Sequence, residues 1–123
     1  MENPYYTFTV PVFISTLTNL KAILAKGAAF AKEKGMDEVK LLDAKLADDM
    51  YPLIKQVQIA ADNAKGAAAR LSGKENPKHE DNEKTLDELY ARIDKTIAFL
   101  QEFTPEDFEG ASERKISLPW MPE

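Results

Sequence analysis

The stretch PLIKQVQIAADNAKGAAARLSG, residues 52–73, decides the fold. It begins with proline in a first helical turn and closes on Gly73, a residue suited to the left-handed position just past a helix end. At about 100° per residue, Leu53, Val57, Ala60, Ala61, Ala64, Ala68 and Leu71 gather on one face. Alanines on such a face let a second helix approach closely, because helix spacing is set by the side chains at the contact. Gln58, Asp62 and Lys65 form a polar stripe turned roughly 100° from the centre of that face, in the same sector as Ile54 and Ala69.

The flanking segments repeat the helical period. From Pro11 to Lys34 the residues Phe13, Leu17, Leu20, Leu24, Ala28 and Ala31 recur at spacings of three and four, with Thr9 as a cap and Gly35 as the stop. A connector follows, in which Asp37 caps a short turn presenting Val39, Leu41 and Leu42. Asp48 and Asp49 precede the central helix, where acids suit exposed N–H groups. The polar run KENPKHEDNEK, residues 74–84, reads as a loop. Thr85 and Glu88 then match a capping box for a third helix to about Phe103, which carries Leu86, Leu89, Ile93, Ile97 and Leu100 inward. Glu88 and Arg92 are spaced as an i,i+4 ion pair. Thr104-Pro105 stops this helix, and Arg114 to Leu118 reads as a short extended piece.

These patterns predict an all-α fold: one domain over residues 1–123, an up-down bundle of three long helices plus a short irregular C-terminal tail. An odd helix count leaves a groove, expected between the first and third helices. The tail's Ile116, Leu118 and Trp120 must cover it, or another chain must. A homo-oligomer, most simply a two-fold dimer, is therefore expected.

Composition excludes several functions. Of 123 residues 44% are hydrophobic and 30% charged, a soluble balance. A formal charge of -5 with no basic block gives nucleic acid nothing to bind. No cysteine is present, which removes disulfides, thiolate nucleophiles and cysteine-based metal sites. The N-terminal MENPYYTFTVPVF carries Glu2 and no basic run, unlike a signal peptide. The apolar span from Phe8 to Ala31, interrupted by Thr16, Asn19, Lys21 and Lys26, reads as too polar for a membrane crossing. A cytoplasmic location is expected, with no membrane partner.

Each candidate constellation has a plain alternative. Gln58, Asp62 and Lys65 are the candidate ligand-binding residues, bordering a pocket for a small molecule or a partner helix. Otherwise they are a solvated flank holding an ion pair. His79, with Glu80 and Glu83, echoes a metal motif but lacks the second histidine; it reads as a loop residue in water. Residues 66–74 have a phosphate-loop flavour without the spacing, the Ser/Thr or the preceding strand. Asp48 and Asp49 read as helix caps rather than as magnesium ligands with Asp43 as a third carboxylate. Tyr5, Tyr6, Phe8 and Phe13 read as an N-terminal segment packed on the bundle. No catalytic set emerges, no metal and no cofactor is assigned, and a non-enzymatic role is expected.

The runs TVPVFISTLTNLKAIL, LLDAKLADDMYPLIKQVQIAADNAKGAAARLSG, DELYARIDKTIAFL and FEGASERKISLP resemble a bacterial domain-of-unknown-function family numbered nineteen-ninety-three, in the DinB/YfiT-like superfamily. The resemblance spans roughly Tyr6 to Pro119. It implies a four-helix bundle, of which this chain is expected to stop before the fourth helix. Many superfamily members hold a metal on three histidines, one from the second helix and two from the fourth. Some are thiol-dependent transferases or isomerases, and an enzyme of that kind is the alternative function. This chain has no histidine on its second helix; Asn63 lies where one would be sought. No ligand set transfers.

Overall fold

A computed structural model describes residues 3–121; Glu2 lies outside them. Helix α1 (Pro4–Thr7) leads into α2 (Val10–Glu33). A single turn, α3 (Glu38–Leu42), precedes α4 (Leu53–Ser72) and α5 (Leu86–Gln101). Two 3₁₀ turns, Pro105–Phe108 and Ala111–Glu113, carry the chain into an irregular tail. The described residues are all helix, turn and loop, as predicted.

The long helices bury what their periodicity said they would. On α2, Val10, Leu17, Leu24 and Ala31 are buried at steps of seven, the spacing of a packing seam. On α5, Leu86, Leu89, Ile93, Thr96 and Leu100 are buried, and on α4, Val57, Ala61, Ala64 and Ala68. Helix α5 is the middle of the bundle: it packs along both α2 and α4, which touch each other sparsely. The open side therefore lies between α2 and α4, not between the first and third long helices as predicted. Ala60 was placed on the packing face but is exposed. Its phase puts it at the rim facing that opening.

One end of the bundle is closed by aromatic rings. Phe108 is fully buried, edge-on to Tyr6 at 5.7 Å and tilted against Phe103 at 5.7 Å. Burying such a ring is worth about 1.5–3 kcal/mol. Tyr6 and Phe13 pack on the core, whereas Tyr5 and Phe8 face outward. The expected N-terminal cluster is thus half realised.

Caps divide in the same way. Thr85 accepts from the Glu88 N–H at 3.1 Å, and Gly35 and Gly73 take positive φ of 70° and 74°. Gly73 also lies against a side chain from the tail. A Cβ there would lie 2.9 Å from Arg114 Nε, and Arg114 donates to the Leu71 carbonyl at the end of α4. Thr9 does not cap α2; its hydroxyl donates back to Tyr5 and Tyr6 carbonyls. Asp37 stands at the N-cap of α3 without a side-chain bond. Asp48 and Asp49 do not cap α4 either. Pro52 is its N-cap, and the Leu53 N–H reaches Ala44 O at 2.9 Å, which leaves the aspartates exposed.

The tail does not cover α2. Arg114 sits at the end of α4, and Trp120 lies 5.9 Å from the Arg70 guanidinium with Ile116 and Trp120 exposed. The helical run Pro4–Glu33 contains an 18-residue window of mean hydropathy 1.5, long and apolar enough to cross a membrane by length and composition. It is less polar than its interruptions suggest, because only Lys21 and Lys26 carry charge between Val10 and Ala31. A soluble core helix passes the same test, but only 17% of this window is buried in the bundle: the inner stripe of α2 packs on the core, and Val12, Ile23 and Phe30 face outward.

The two alanines give a test of the packing. Ala68→Leu, at a site with no exposed surface, is expected to cost about 1–3 kcal/mol through overpacking. Ala60→Leu is expected to stay within about 0.5 kcal/mol of wild type. Urea denaturation of both variants measures the difference.

Candidate functional site

The polar stripe of α4 is not a solvated flank: Gln58 and Lys65 are buried, and Asp62 is partly exposed. It is covered by the chain's own loop, and the hub of the contact is Arg92 on α5. Arg92 follows Leu89 by three residues and precedes Thr96 by four, so the helical period places it on the buried side of α5. Its side chain is 2% exposed.

Three carboxylates meet this guanidinium. Asp62 Oδ1, from α4, accepts from Nη2 at 2.7 Å. Asp81 Oδ1 accepts from Nη1 at 2.6 Å, and the two Glu83 oxygens lie 3.1 and 3.2 Å from the same nitrogen. The loop backbone adds Glu80 O at 3.1 Å from Nη1 and His79 O at 3.4 Å from Nη2. Gln58 donates to Glu83 Oε2 at 2.9 Å. Lys65, its side chain 7% exposed, donates to the Pro77 carbonyl and stands 3.8 Å from Asp62. Lys55 holds the outer oxygen of Asp81 at 3.0 Å.

All three predicted residues thus belong to one network, which binds α4 and α5 to residues 77–83. Arg92 was the omission. It was assigned to Glu88 at i,i+4, but its guanidinium turns to Asp62, Asp81 and Glu83 instead. A signal existed: an arginine in phase with Leu89 and Ile93 must find anions within the protein, and the preceding loop supplies Glu80, Asp81 and Glu83. His79 also departs from its reading as a loop residue in water. It is half-buried, and its Nδ1 is inaccessible and without a hydrogen-bond partner.

Charge states follow from this environment. Burial works against the Arg92 charge, but hydrogen bonds to Asp81 and Asp62 and the charges of Asp62 and Glu83 hold it above its ordinary range. Burial pushes Lys65 down; Asp62 offsets part of this, while Arg92 and Arg70 add to it. His79 is pushed down by burial and by the cations Lys95, Lys65 and Arg92. Hydrogen bonds from Lys55 and then Arg92 hold Asp81 below the usual carboxylate range.

A hollow of about 500 Å³ lies beside the network, between the loop and the flank of α5, with Lys78, His79, Asn82, Glu88 and Lys95 among its lining residues. It contains no nucleophile paired with a base. Among the described residues no group of three or more His, Asp or Glu is placed to hold a metal ion. The metal implied by the superfamily does not fit these residues: Asn63 is exposed on α4, His79 is on the loop, and the converging carboxylates are spent on Arg92.

The model of the family described as "Domain of unknown function (DUF1993)" matches residues 5–123. The chain belongs to the DUF1993 family. A crystal structure of a DinB family member protein from Shewanella denitrificans is similar to this DUF1993 chain at 46% identity and a TM-score of 0.89. The match covers 93% of this chain and 65% of that one, so the DUF1993 chain spans less than two thirds of that relative's length. No curated protein matches it. The family and fold expected from the sequence are those found, and the family's function is unknown.

Two outcomes test the network. Arg92→Met leaves Glu83 buried without its cation and is expected to cost about 3 kcal/mol in urea denaturation, as broken buried pairs do. Exposure of Asp62 and Asp81 keeps the loss at that lower end. His79 takes up its proton near 6.5 in the unfolded chain but only at lower pH in the folded one. Stability present above 6.5 is therefore lost as pH falls below it. The urea midpoint is expected to drop between pH 7 and pH 5, and to drop less in a His79→Gln variant.

Proposed function

We propose that this protein is a non-catalytic interaction bundle whose working surface is the outward face of α2, and that its first partner is a second copy of the same chain. One observation carries the reading: Val12, Ile23 and Phe30 are 46%, 63% and 58% exposed, and by phase they share one side of α2, away from its buried stripe. Singly exposed apolar residues are ordinary; a row along one helix face marks an interface.

The spacing of this row suits self-association. Two α2 helices crossing antiparallel about a two-fold axis at the level of Lys21 set Val12 against Phe30 of the second copy and Ile23 against Asn19. Lys26 then meets Thr16 rather than another lysine. Such a pairing is self-complementary, as a two-fold interface requires. The polar network supports the non-catalytic part of the reading, since its cations and carboxylates are engaged with one another. A bacterial cytoplasmic setting completes the proposal, on the strength of a soluble charge balance and the absence of cysteine.

Sedimentation velocity at micromolar concentration tests it. The wild type is expected to run as a dimer, and an Ile23→Asp/Phe30→Asp variant as a monomer of unchanged helicity. A wild type that stays monomeric across the micromolar range overturns the reading.

A further inference from the structure

The loop segment is an imperfect tenant of the site it covers. Arg92 Nη1 has two hydrogens but faces four oxygens within 3.2 Å: Glu80 O, Asp81 Oδ1 and both Glu83 oxygens. Nε of the same guanidinium is buried with no acceptor at all. Guanidinium binds carboxylate best through two parallel N–H bonds, so the segment crowds one corner and leaves another unused. No helix holds residues 74–82, whereas Arg92, Lys65 and Gln58 are buried on rigid helices.

The charges are also informative. Lys55, Lys65 and Arg92 are countered by Asp62 on α4 and by Asp81 and Glu83 on the segment. With the segment displaced, the three cations keep only Asp62, and the helices present two uncompensated positive charges at the place the segment leaves. Mere tethering of a loop does not call for burying two cations, since desolvation costs several kcal/mol per ion.

We propose that Lys65, Arg92 and Gln58 form a binding site for a small dicarboxylate, occupied here by the chain's own Asp81 and Glu83 as internal stand-ins. The ligand's two carboxylates replace those of the segment, one in the place of Glu83 on Arg92 and Gln58 and one in the place of Asp81 on Arg92 and Lys55, where Lys65, released from the Pro77 carbonyl, also reaches it. The segment swings out as the ligand enters. This site is built on α4 and α5, shares no residue with the apolar row of α2, and stands or falls separately from dimer formation.

The test is an Asp81→Asn/Glu83→Gln variant, which keeps the shape of the segment and removes its two charges. Calorimetric titration with succinate at low ionic strength is expected to show binding at least ten-fold tighter than to wild type, and Arg92→Gln in the same background is expected to abolish it. Equal affinities for variant and wild type, or a folded variant that does not bind succinate, overturn the proposal. Inorganic phosphate binding as tightly as succinate overturns the dicarboxylate assignment. Should the variant fail to fold, tryptic cleavage after Lys78 and Lys84 in wild type decides: succinate is expected to accelerate it several-fold over an equal ionic strength of chloride, and no acceleration overturns the proposal.

Discussion

A guanidinium buried inside a helical bundle is the constraint on which much of this structure depends. Taking the Arg92 charge out of water is costly, and it becomes tolerable only if anions come to it with good geometry. Asp62 arrives from α4; Asp81 and Glu83 must be brought by the loop. The cation therefore fixes where residues 77–83 run, holds α4 against α5, and turns what would be a solvated stripe of α4 into an interior seam. Lys65 and Gln58 are buried because the loop lies over them.

That seam and the alanine face are two flanks of the same helix. Ala61 and Ala68 let α4 lie close to its neighbours, and the polar flank beside them is sealed by charge. Opposite, α2 shows the reverse arrangement. Its inner residues are buried on α5, and its outer residues Val12, Ile23 and Phe30 have no cover from the described residues. The bundle thus has one closed polar side and one open apolar side. The proposed association through α2 rests on the open side, and the proposed exchange of an internal anion for an external one at Arg92 rests on the closed one.

The bundle was legible in the sequence because its signals are local. Leu17, Leu24 and Ala31 repeat within one helix; Thr85 and Glu88 sit three residues apart; Gly73 needs only its own φ. What escaped reading depends on pairs distant in the chain. Arg92 and Asp62 are thirty residues apart, so the nearer Glu88 drew the assignment. Gln58, Asp62 and Lys65 share one phase of α4, but no helical phase reveals that a loop will be drawn over them. Asp48 and Asp49 look like caps by position, yet Pro52 ends the connector in extended backbone and leaves them in water. The position of the opening was misplaced for a similar reason: periodicity shows which faces are apolar, not which helix sits in the middle.

A double-mutant cycle on Arg92 and Glu83 measures the latch itself. Urea denaturation of Arg92→Met, Glu83→Gln and the combined variant is expected to give a coupling energy of about 2 kcal/mol, within the range found for contacting charges in one network. Losses that add to within about 0.5 kcal/mol would contradict a structure organised around the Arg92 charge.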